Sequence, residues 1–483
     1  MTFPSNRVLA SVCIALPLLA SVPSTYAQSD SSSLSGTILD ASGAVVTKAK
    51  IVVHDNATNT DRTATSNDEG SFTLTNLPSG NYRIRVEATG FQTTTLNDVR
   101  LDPSIGRRVD VSMKVGDAGT EINVEAGANA VQTESASVGQ LVTEAQVKSI
   151  QLNGRNPLYL SQLEPGVVRG NSMAAFAFAL DNGINVNGAR SQESLITLDG
   201  APMVRTRSNG TSVGVADVDS TSQVQILTTS YPAEFGRTSG GQIRIVPKSG
   251  TTEFHGSAFE YFRNTVLNAN TWARNNSTNP LINSKPPAFR YNQFGWNLNG
   301  PVYIPGVFNK SRNKLFFLLG QEYVRYNHDD TAQAKVPTPL MRAGNFSELL
   351  GPNIFYGTPV QIVNPSTGAS YPNNVIPSAQ LSPNGVALLN AYPAANSVNP
   401  AYNWIDSALY TESQRKDTIV IDYVPAEAHH LRFSLLNYNY NDYEPHFGNF
   451  NLNPRIFTRP NQIAVFRYAW TVSPSTVNEL TIS

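Results

Sequence analysis

The chain has 483 residues, of which 15% are charged, and its formal net charge at pH 7 is −1. Typical soluble domains carry about 25% charged residues, so this chain is poor in charge. The near-neutral balance leaves no basic surface for nucleic acid, and we exclude a nucleic-acid partner. Beyond the N-terminus no apolar run is long enough for a membrane-spanning helix, so any insertion into a membrane has to use strands.

The N-terminus has the pattern of a secretory signal peptide. Arg7 precedes an apolar run over residues 8–20, and the small residue Ala27 offers a cleavage site, which predicts a signal at 1–27. The run is too short for a spanning helix, which needs about 20 residues. The only cysteine, Cys13, leaves with the signal, so an exported chain without disulfides is expected.

Residues 34–114 alternate short β-prone runs with turn clusters. Tyr82, Ile84 and Val86 are separated by two arginines, a period of two that gives a strand one buried and one wet face. The spacing of the runs predicts a small β-sandwich of about seven strands.

Residues 115–130 are rich in Gly, Ala, Asn and Glu and are predicted to form a linker. An alternating β-prone segment inside a linker suits strand addition to the sheet edge of another protein. An ordinary edge strand explains the same pattern equally well. The candidate partner-binding residues are Thr120, Glu121, Ile122, Asn123, Val124, Glu125 and Ala126.

Residues 131–250 are predicted to form a compact α+β domain. One short helix is expected at 143–150, and strands at 184–188, 194–200, 224–227 and 241–246. Asp199-Gly200 is a favoured pair for a tight turn.

Residues 251–483 repeat a different alternation, with bulky apolar residues on one face and Gly, Asn, Arg or Ser on the other. This pattern suits strands that contact lipid with one face and a water-filled interior with the other. The Asn- and Pro-rich stretch 329–406 is predicted to be an exposed surface loop. The clearest apolar faces are Phe294, Trp296 and Leu298; Leu431, Phe433 and Leu435; and Phe466, Tyr468 and Trp470.

Residues 68–82 read D-x-G-x-F-x-L-x-x-L-P-x-G-x-Y, which resembles the carboxypeptidase regulatory-like domain. This module is a non-catalytic appendage of some peptidases. The resemblance implies either a rigid spacer or, through a starch-binding-like fold, contact with carbohydrate.

Three further stretches, 184–200, 231–256 and 294–317, resemble the TonB-dependent outer-membrane receptors of the Oar-like group. The resemblance implies a plug at 131–250 inside a barrel of about 22 strands. It also implies that 120–126 is a TonB box that pairs with a periplasmic energy transducer. The other partners implied are outer-membrane lipid and an unknown extracellular ligand, with carbohydrate as one possibility. The chain would lie in the outer membrane of a Gram-negative bacterium, with its N-terminal domain in the periplasm.

The fold class expected is therefore mainly β: an N-terminal β-sandwich, a small α+β plug and the first strands of an incomplete transmembrane β-barrel at 251–483. With long loops, these residues supply about six to eight strands, and open edges in hydrocarbon are unfavourable. We therefore expect a chain that is truncated at its C-terminus.

No catalytic, metal or cofactor site is expected, and the chain is not predicted to be an enzyme. Gly210-Thr-Ser212-Val-Gly214 has the spacing of a nucleophile elbow but lacks the strand-turn-helix context. Asp217 and Asp219 have no visible acid-base partner, and the six histidines, with no metal-ligand spacing, are expected to have incidental surface roles. A ligand-gated transport receptor is the leading hypothesis. A carbohydrate-binding surface protein is the alternative, and an exported peptidase is suggested only by the name of the sandwich domain.

Overall fold

A computed structural model describes residues 31–483, except 104, 117–120, 126–135, 153, 170–183, 206–207, 213, 215, 233–234, 237, 271, 276–285, 449, 451–452 and 474–475. The predicted signal peptide at 1–27, with Cys13, lies outside the described residues. Strands dominate the described chain, which confirms the mainly β fold class. None of the described helices combines the length and the apolar character that crossing a bilayer requires.

The N-terminal strands form two facing sheets, which confirms the predicted sandwich. One sheet has the order β4-β1-β7, with β8 also paired to β1, and the other has the order β3-β2-β5-β6-β9. The strands are β1 Ser32–Asp40, β2 Lys50–Asp55, β3 Thr60–Thr65, β4 Ser71–Leu77, β5 Gly80–Glu87, β6 Thr93–Leu101, β7 Gly106–Arg108, β8 Val111–Met113 and β9 Glu121–Glu125.

The sandwich has a hydrophobic core of its own, because all the buried residues of that core lie between Leu34 and Met113. The predicted period of two is present in β5, where Tyr82, Ile84 and Val86 are buried between exposed arginines. The buried Tyr82 hydroxyl donates a hydrogen bond to the Pro78 carbonyl at 2.7 Å, which satisfies its one polar group.

Residues 138–247, here called the central segment, form a mixed five-stranded sheet with the order β10-β17-β18-β13-β14. Helix α1, Glu144–Ser149, begins at a capping box formed by Thr143 and Gln146, as the sequence predicts. Short 3₁₀ turns cover Pro157–Leu163 and Ser191–Glu193. The strands are β10 Val138–Val142, β11 Val167–Arg169, β12 Ile184–Val186, β13 Leu195–Leu198, β14 Ala201–Pro202, β15 Val204–Arg205, β16 Ser208–Ser212, β17 Thr221–Thr229 and β18 Gln242–Pro247.

The predicted tight turn joins β13 to β14. Asp199 has φ 49° and Gly200 has φ 84°, so both central residues are left-handed, as a two-residue hairpin turn requires. The turn presents the Asp199 side chain at one end of the central segment.

The remaining strands form one antiparallel sheet in chain order, here called the strand wall. Its helices are α2 Trp272–Asn275, α3 Pro339–Arg342 and α4 Pro383–Ala391, with 3₁₀ turns at Thr265–Leu267, Ser347–Leu350, Pro372–Asn374 and Ser378–Gln380. Within the described residues, the first and last strands are the two edges of this sheet. The strands are β19 His255–Asn264, β20 Phe289–Pro301, β21 Leu315–Ala334, β22 Trp404–Ala426, β23 His429–Glu444, β24 Arg455–Ser473 and β25 Thr476–Ile482.

The two faces of the strand wall differ in the way the alternation predicts. On β23, Arg432 and Ser434 are buried, whereas Leu431, Phe433 and Leu435 point to the other face and are partly exposed. The inner face packs on the central segment, because Leu436, Ile463 and Val465 belong to the same hydrophobic core as its strands.

The expectation of one exposed loop over 329–406 is wrong at its ends. β21 and β22 pair up to Ala334 and Trp404, so the loop covers only 335–403. Within it, the Arg342 guanidinium donates to the carbonyls of Leu389 and Tyr392 at 2.5 and 3.0 Å. Side-chain donors thus satisfy backbone carbonyls that have no ladder partner.

Replacing Tyr82 with phenylalanine should destabilise the sandwich by about 1 kcal/mol, because the substitution removes one buried hydrogen bond and leaves the Pro78 carbonyl unpaired. Urea unfolding of residues 33–114 measures the free energy. Phe72→Leu, a change of shape in the same core without loss of a hydrogen bond, is the control. Equal stability of Tyr82→Phe and the parent would contradict the role given to this hydroxyl.

Candidate functional site

The segment predicted to bind a partner lies on the edge of the sandwich. β9 pairs in parallel with β6, from Thr93 opposite Glu121 to Asn97 opposite Glu125. Glu121–Glu125 is called the docking segment below; Thr120 and Ala126 of the predicted motif lie outside the described residues. The segment therefore has an extended conformation, as strand addition requires.

A second site joins the central segment to the strand wall. Its charges, here called the Asp199 network, are the buried Asp199, Asp422, Arg432 and Arg467 and the half-buried Glu479. The Arg432 Nε donates to Asp199 Oδ2 at 2.8 Å, and its Nη1 lies 3.0 Å from Asp422 Oδ2. Arg467 lies 3.9 Å from Asp199 Oδ1 and 3.4 Å from Glu479.

The strand register explains why Asp199 is needed. Arg432 on β23 lies directly opposite Arg467 on β24, and both side chains are buried on the inner face. Two like charges opposite each other repel, and a buried cation without a partner is costly. The turn of the central segment places the Asp199 carboxylate against both guanidinium groups, where it adds a third acid to Asp422 and Glu479 of the strand wall.

The charge state of Asp199 follows from these contacts. Burial on its own would raise the pKa of this carboxyl, but the attraction of Arg432 and Arg467 outweighs it and lowers the pKa. Asp199 is therefore ionised at neutral pH.

A second group of charges anchors the other side of the central segment. The Arg155 Nη2 lies 2.6 Å from Asp219 Oδ2, and its Nε lies 3.7 Å from Glu322 on β21. Glu322 is also paired with Lys416 at 2.5 Å. The guanidinium of Arg155 lies over the Phe259 ring, 4.2 Å from its centroid.

The two units approach closely at Gly320. A Cβ at this position would lie 2.4 Å from the Ser220 hydroxyl oxygen, so a larger residue would require the Ser220 side chain to rotate away. Beside it, the Thr418 hydroxyl donates to Asp217 at 3.1 Å. Asp217 and Asp219, considered as a carboxylate pair at the sequence level, thus serve contacts with the strand wall and Arg155.

Sequence reasoning missed the Asp199 network. The signal was present, because Arg432 and Arg467 each stand between bulky apolar neighbours in a strand. A cation at such a position requires a counter-charge nearby. The sequence does not show which acid supplies that charge, since Asp199 is 233 positions away from Arg432.

The two ends of the strand wall differ. One end, the sandwich side, has connections at 302–314, 427–428 and 474–475, and here Arg62 donates to the Glu427 carbonyl and to the Thr471 hydroxyl at 3.1 Å. A cavity of about 1230 Å³ lies between the three units at this end and reaches Lys248 and Arg432. The other end, the loop side, has the connections 265–288, 335–403 and 445–454, of which the first two are the longest in the strand wall.

Tyrosines and acids cover the inner face towards the loop side. The Tyr440 hydroxyl donates to Asp442 at 2.8 Å, and Gln414 donates to the buried Glu412 at 2.6 Å. Tyr410 stacks on His328, with 4.5 Å between the ring centroids. Tyr410 and His328 are partly exposed on this face, whereas Glu412, Tyr440 and Asp442 are buried.

Two histidines have more than the expected surface role. His446 bridges two strands, with Nδ1 2.9 Å from Asp330 and Nε2 3.1 Å from Asp406. His430 lies 3.1 Å from Asp422 on the inner face, while the adjacent His429 stacks on Tyr468 on the outer face. The described residues contain no cluster of three metal-ligating side chains.

The nucleophile-elbow spacing has no catalytic geometry among the described residues. Ser212 ends β16, is buried, and donates its hydroxyl hydrogen to the Gly214 carbonyl; the intervening Val213 lies outside the described residues. A turn at 218–220, and not a helix, leads into β17.

Residues 246–483 match the family described as outer membrane beta barrel domain, and residues 33–114 match the carboxypeptidase regulatory-like domain. The TonB-dependent transporter Oar of Myxococcus xanthus is 26% identical over 344 residues, which cover 68% of this chain and 30% of that protein. The chain is related to the Oar-like TonB-dependent transporters. It therefore spans about 30% of the length of this relative. Its localisation is the outer membrane of a Gram-negative bacterium.

Two solved transporters overlap with the chain. The outer membrane transporter YddB from Escherichia coli is 12% identical, with a TM-score of 0.41 over 69% of this chain and 37% of that one. The ferric enterobactin receptor of Pseudomonas aeruginosa is 13% identical, with a TM-score of 0.34 over 72% and 49%. The relationship stated above depends on the sequence matches.

An outer-membrane location explains the outer face of the strand wall. Phe317, Ile421, Phe433 and Phe466 lie side by side in one row across four strands. Such a row faces lipid, because every backbone group is satisfied within the sheet and the side chains are apolar.

Above this band the outer face becomes polar. Asp417 accepts hydrogen bonds from Gln321 at 2.6 Å and from Asn437 at 3.0 Å, so one polar row links three strands. These residues mark the boundary of the lipid-facing band on the loop side.

Replacing Asp199 with asparagine should weaken the attachment of the central segment to the strand wall by about 3 kcal/mol, because Arg432 and Arg467 lose the carboxylate that they share. Hydrogen exchange of the amides of β13 and β18 measures the change. Asp417→Asn on the outer face is the matched control and should leave that exchange unaltered. Unchanged hydrogen-exchange protection of β13 and β18 in Asp199→Asn would contradict this role of Asp199.

The same carboxylate makes the attachment of the central segment to the strand wall depend on pH. Since the pKa of Asp199 is lowered in the folded chain, its contribution is complete above the unfolded value of about 3.9 and is lost as pH falls through the lowered value. Protection of β13 should therefore fall below about pH 4 in the parent and depend less on pH in Asp199→Asn. Identical acid profiles would contradict the assignment.

Phe433→Arg should destabilise the membrane-inserted protein by about 2–4 kcal/mol, because it places a cation in the lipid-facing band. Asn439→Arg, on the same face of the same strand but beyond the polar row, should cost about 0–1 kcal/mol. Urea unfolding in lipid bilayers measures both. Equal costs would contradict the position of the band.

Proposed function

We propose that this chain acts in ligand-gated import across the outer membrane, driven by a TonB-type energy transducer in the periplasm. The observation that carries the proposal is that one chain combines two features. The docking segment is an extended strand, and the Asp199 network holds the central segment in the strand wall. The named relative, a TonB-dependent transporter, supports the same function.

The orientation follows from the connections of the strand wall. Outer-membrane barrels have short periplasmic turns and longer extracellular loops. We therefore assign the sandwich side, with the docking segment, to the periplasm and the loop side to the exterior. The central segment is then the plug that the sequence predicts at 131–250.

The gating step separates opposite charges. A pull on the chain between the docking segment and β10 is applied to the N-terminal end of the central segment. Movement of that segment withdraws Asp199 from Arg432 and Arg467, and the loss of these buried contacts favours its return. The Asp199 network thus returns the central segment to its position in the strand wall when the pull ends.

The ligand would enter from the loop side and contact the partly exposed rings of Tyr410 and His328 on the inner face, with the buried Glu412 and Tyr440 behind them. Aromatic rings and carboxylates suit ligands with apolar faces and hydrogen-bond donors. Carbohydrate binding by the sandwich stays a prediction, and no contact in the described residues favours it. A non-enzymatic role is part of this proposal, and the relatives that support it are transporters and receptors.

The docking function predicts a specific loss. Ile122→Pro removes a backbone donor and the extended pairing geometry, so binding of the purified periplasmic domain of the energy transducer should weaken at least tenfold. Ile122→Val keeps a strand-forming residue and should bind as the parent does. The proposal fails if the parent chain, solubilised in detergent, does not bind the transducer, or if Ile122→Pro binds as tightly as the parent.

A further inference from the structure

We infer that the sandwich presents the docking segment to its partner: β9 stays paired with β6, and an extended strand of the periplasmic partner adds to the free edge of β9. This inference rests on the proposed function and assigns to the sandwich a role beyond that of a spacer. The surface involved is the outer edge of the five-stranded sheet β3-β2-β5-β6-β9.

The order of that sheet carries the inference. β6 is paired with β5 on one side and with β9 on the other, so β9 is the last strand. In the described chain no strand pairs with the second edge of β9. An edge strand presents a row of unpaired N–H and C=O groups, which is the surface that strand addition uses.

The register holds the segment in a defined orientation. Ile122 lies opposite Thr94 and is half-buried, while Asn123 lies opposite Thr95 and is exposed. Since successive residues of a strand point to opposite faces, Ile122 faces the sheet side that Leu96 shares with the sandwich core. The backbone pairing with β6 thus holds the segment, and its second backbone edge has no strand partner among the described residues.

The sandwich is itself fixed at the periplasmic end of the strand wall. Gln225 of the central segment donates to the Pro103 carbonyl at 2.9 Å, and Arg62 donates to the Thr471 hydroxyl at 3.1 Å. The free edge of β9 therefore has a set position beside the central segment. A partner that adds to an ordered strand avoids the entropy cost of ordering a flexible linker, which favours tight docking.

A reversible covalent lock tests this inference on the full chain. Thr95→Cys with Asn123→Cys places two cysteines at directly paired positions, and the only native cysteine, Cys13, lies in the predicted signal peptide. Oxidation should close the disulfide and hold β9 on β6. The probe is the purified periplasmic domain of the energy transducer, and its Kd is measured for the oxidised and the reduced protein in detergent.

We expect the two Kd values to agree within twofold, because docking leaves the β6–β9 pairing in place. A loss of tenfold or more that appears only in the oxidised form overturns the inference, since the segment then has to leave the sandwich; binding by the reduced form leaves the proposed function standing. If neither form nor the parent chain binds, the proposed function fails as well.

An off-register pair controls for the pairing itself. Thr95→Cys with Glu125→Cys should cross-link at least tenfold more slowly than the in-register pair, because Glu125 lies opposite Asn97. Equal rates would show that β9 is not held on β6 and would overturn the inference. Each single-cysteine variant, oxidised under the same conditions, should bind as the parent does.

Discussion

The structure depends on how two facing arginines are neutralised. Arg432 and Arg467 lie opposite each other on the inner face of the strand wall, where water is largely excluded. Asp422 pairs with Arg432 from the neighbouring strand, but the carboxylate that touches both guanidinium groups is Asp199 of the central segment. A buried ion pair of this kind contributes more to register than to net stability, because desolvation offsets most of the attraction. It defines one position of the central segment, at which Asp199 reaches both arginines.

The rest of the molecule is arranged around that position. Lipid-facing rows on the outer face define where the strand wall crosses the membrane, and long connections lie at the end opposite the sandwich. The sandwich, which carries β9 on β6, faces the same end of the central segment that carries the Asp199 turn.

Much of this fold could be predicted from local patterns. The alternation of Tyr82, Ile84 and Val86, the helix at 143–150 and the Asp199-Gly200 turn each depend on neighbouring residues, and each has the predicted conformation. The loop 335–403 was harder to predict, since its order comes from side-chain donors such as Arg342 that bond to distant carbonyls. The bridging role of His446 was missed for the same reason, because its acids lie on two other strands.

The sequence by itself determined the fold class, the faces of the strands, the family resemblance and the candidate docking residues. These properties depend on the period of the side chains and on short motifs, which are visible within a few neighbouring positions. The tertiary structure alone decided that Asp199 neutralises Arg432 and Arg467, that Gly320 makes room for Ser220, and that the docking segment pairs with β6. Each of these contacts joins residues from separate parts of the chain, and only strand register and packing bring them together.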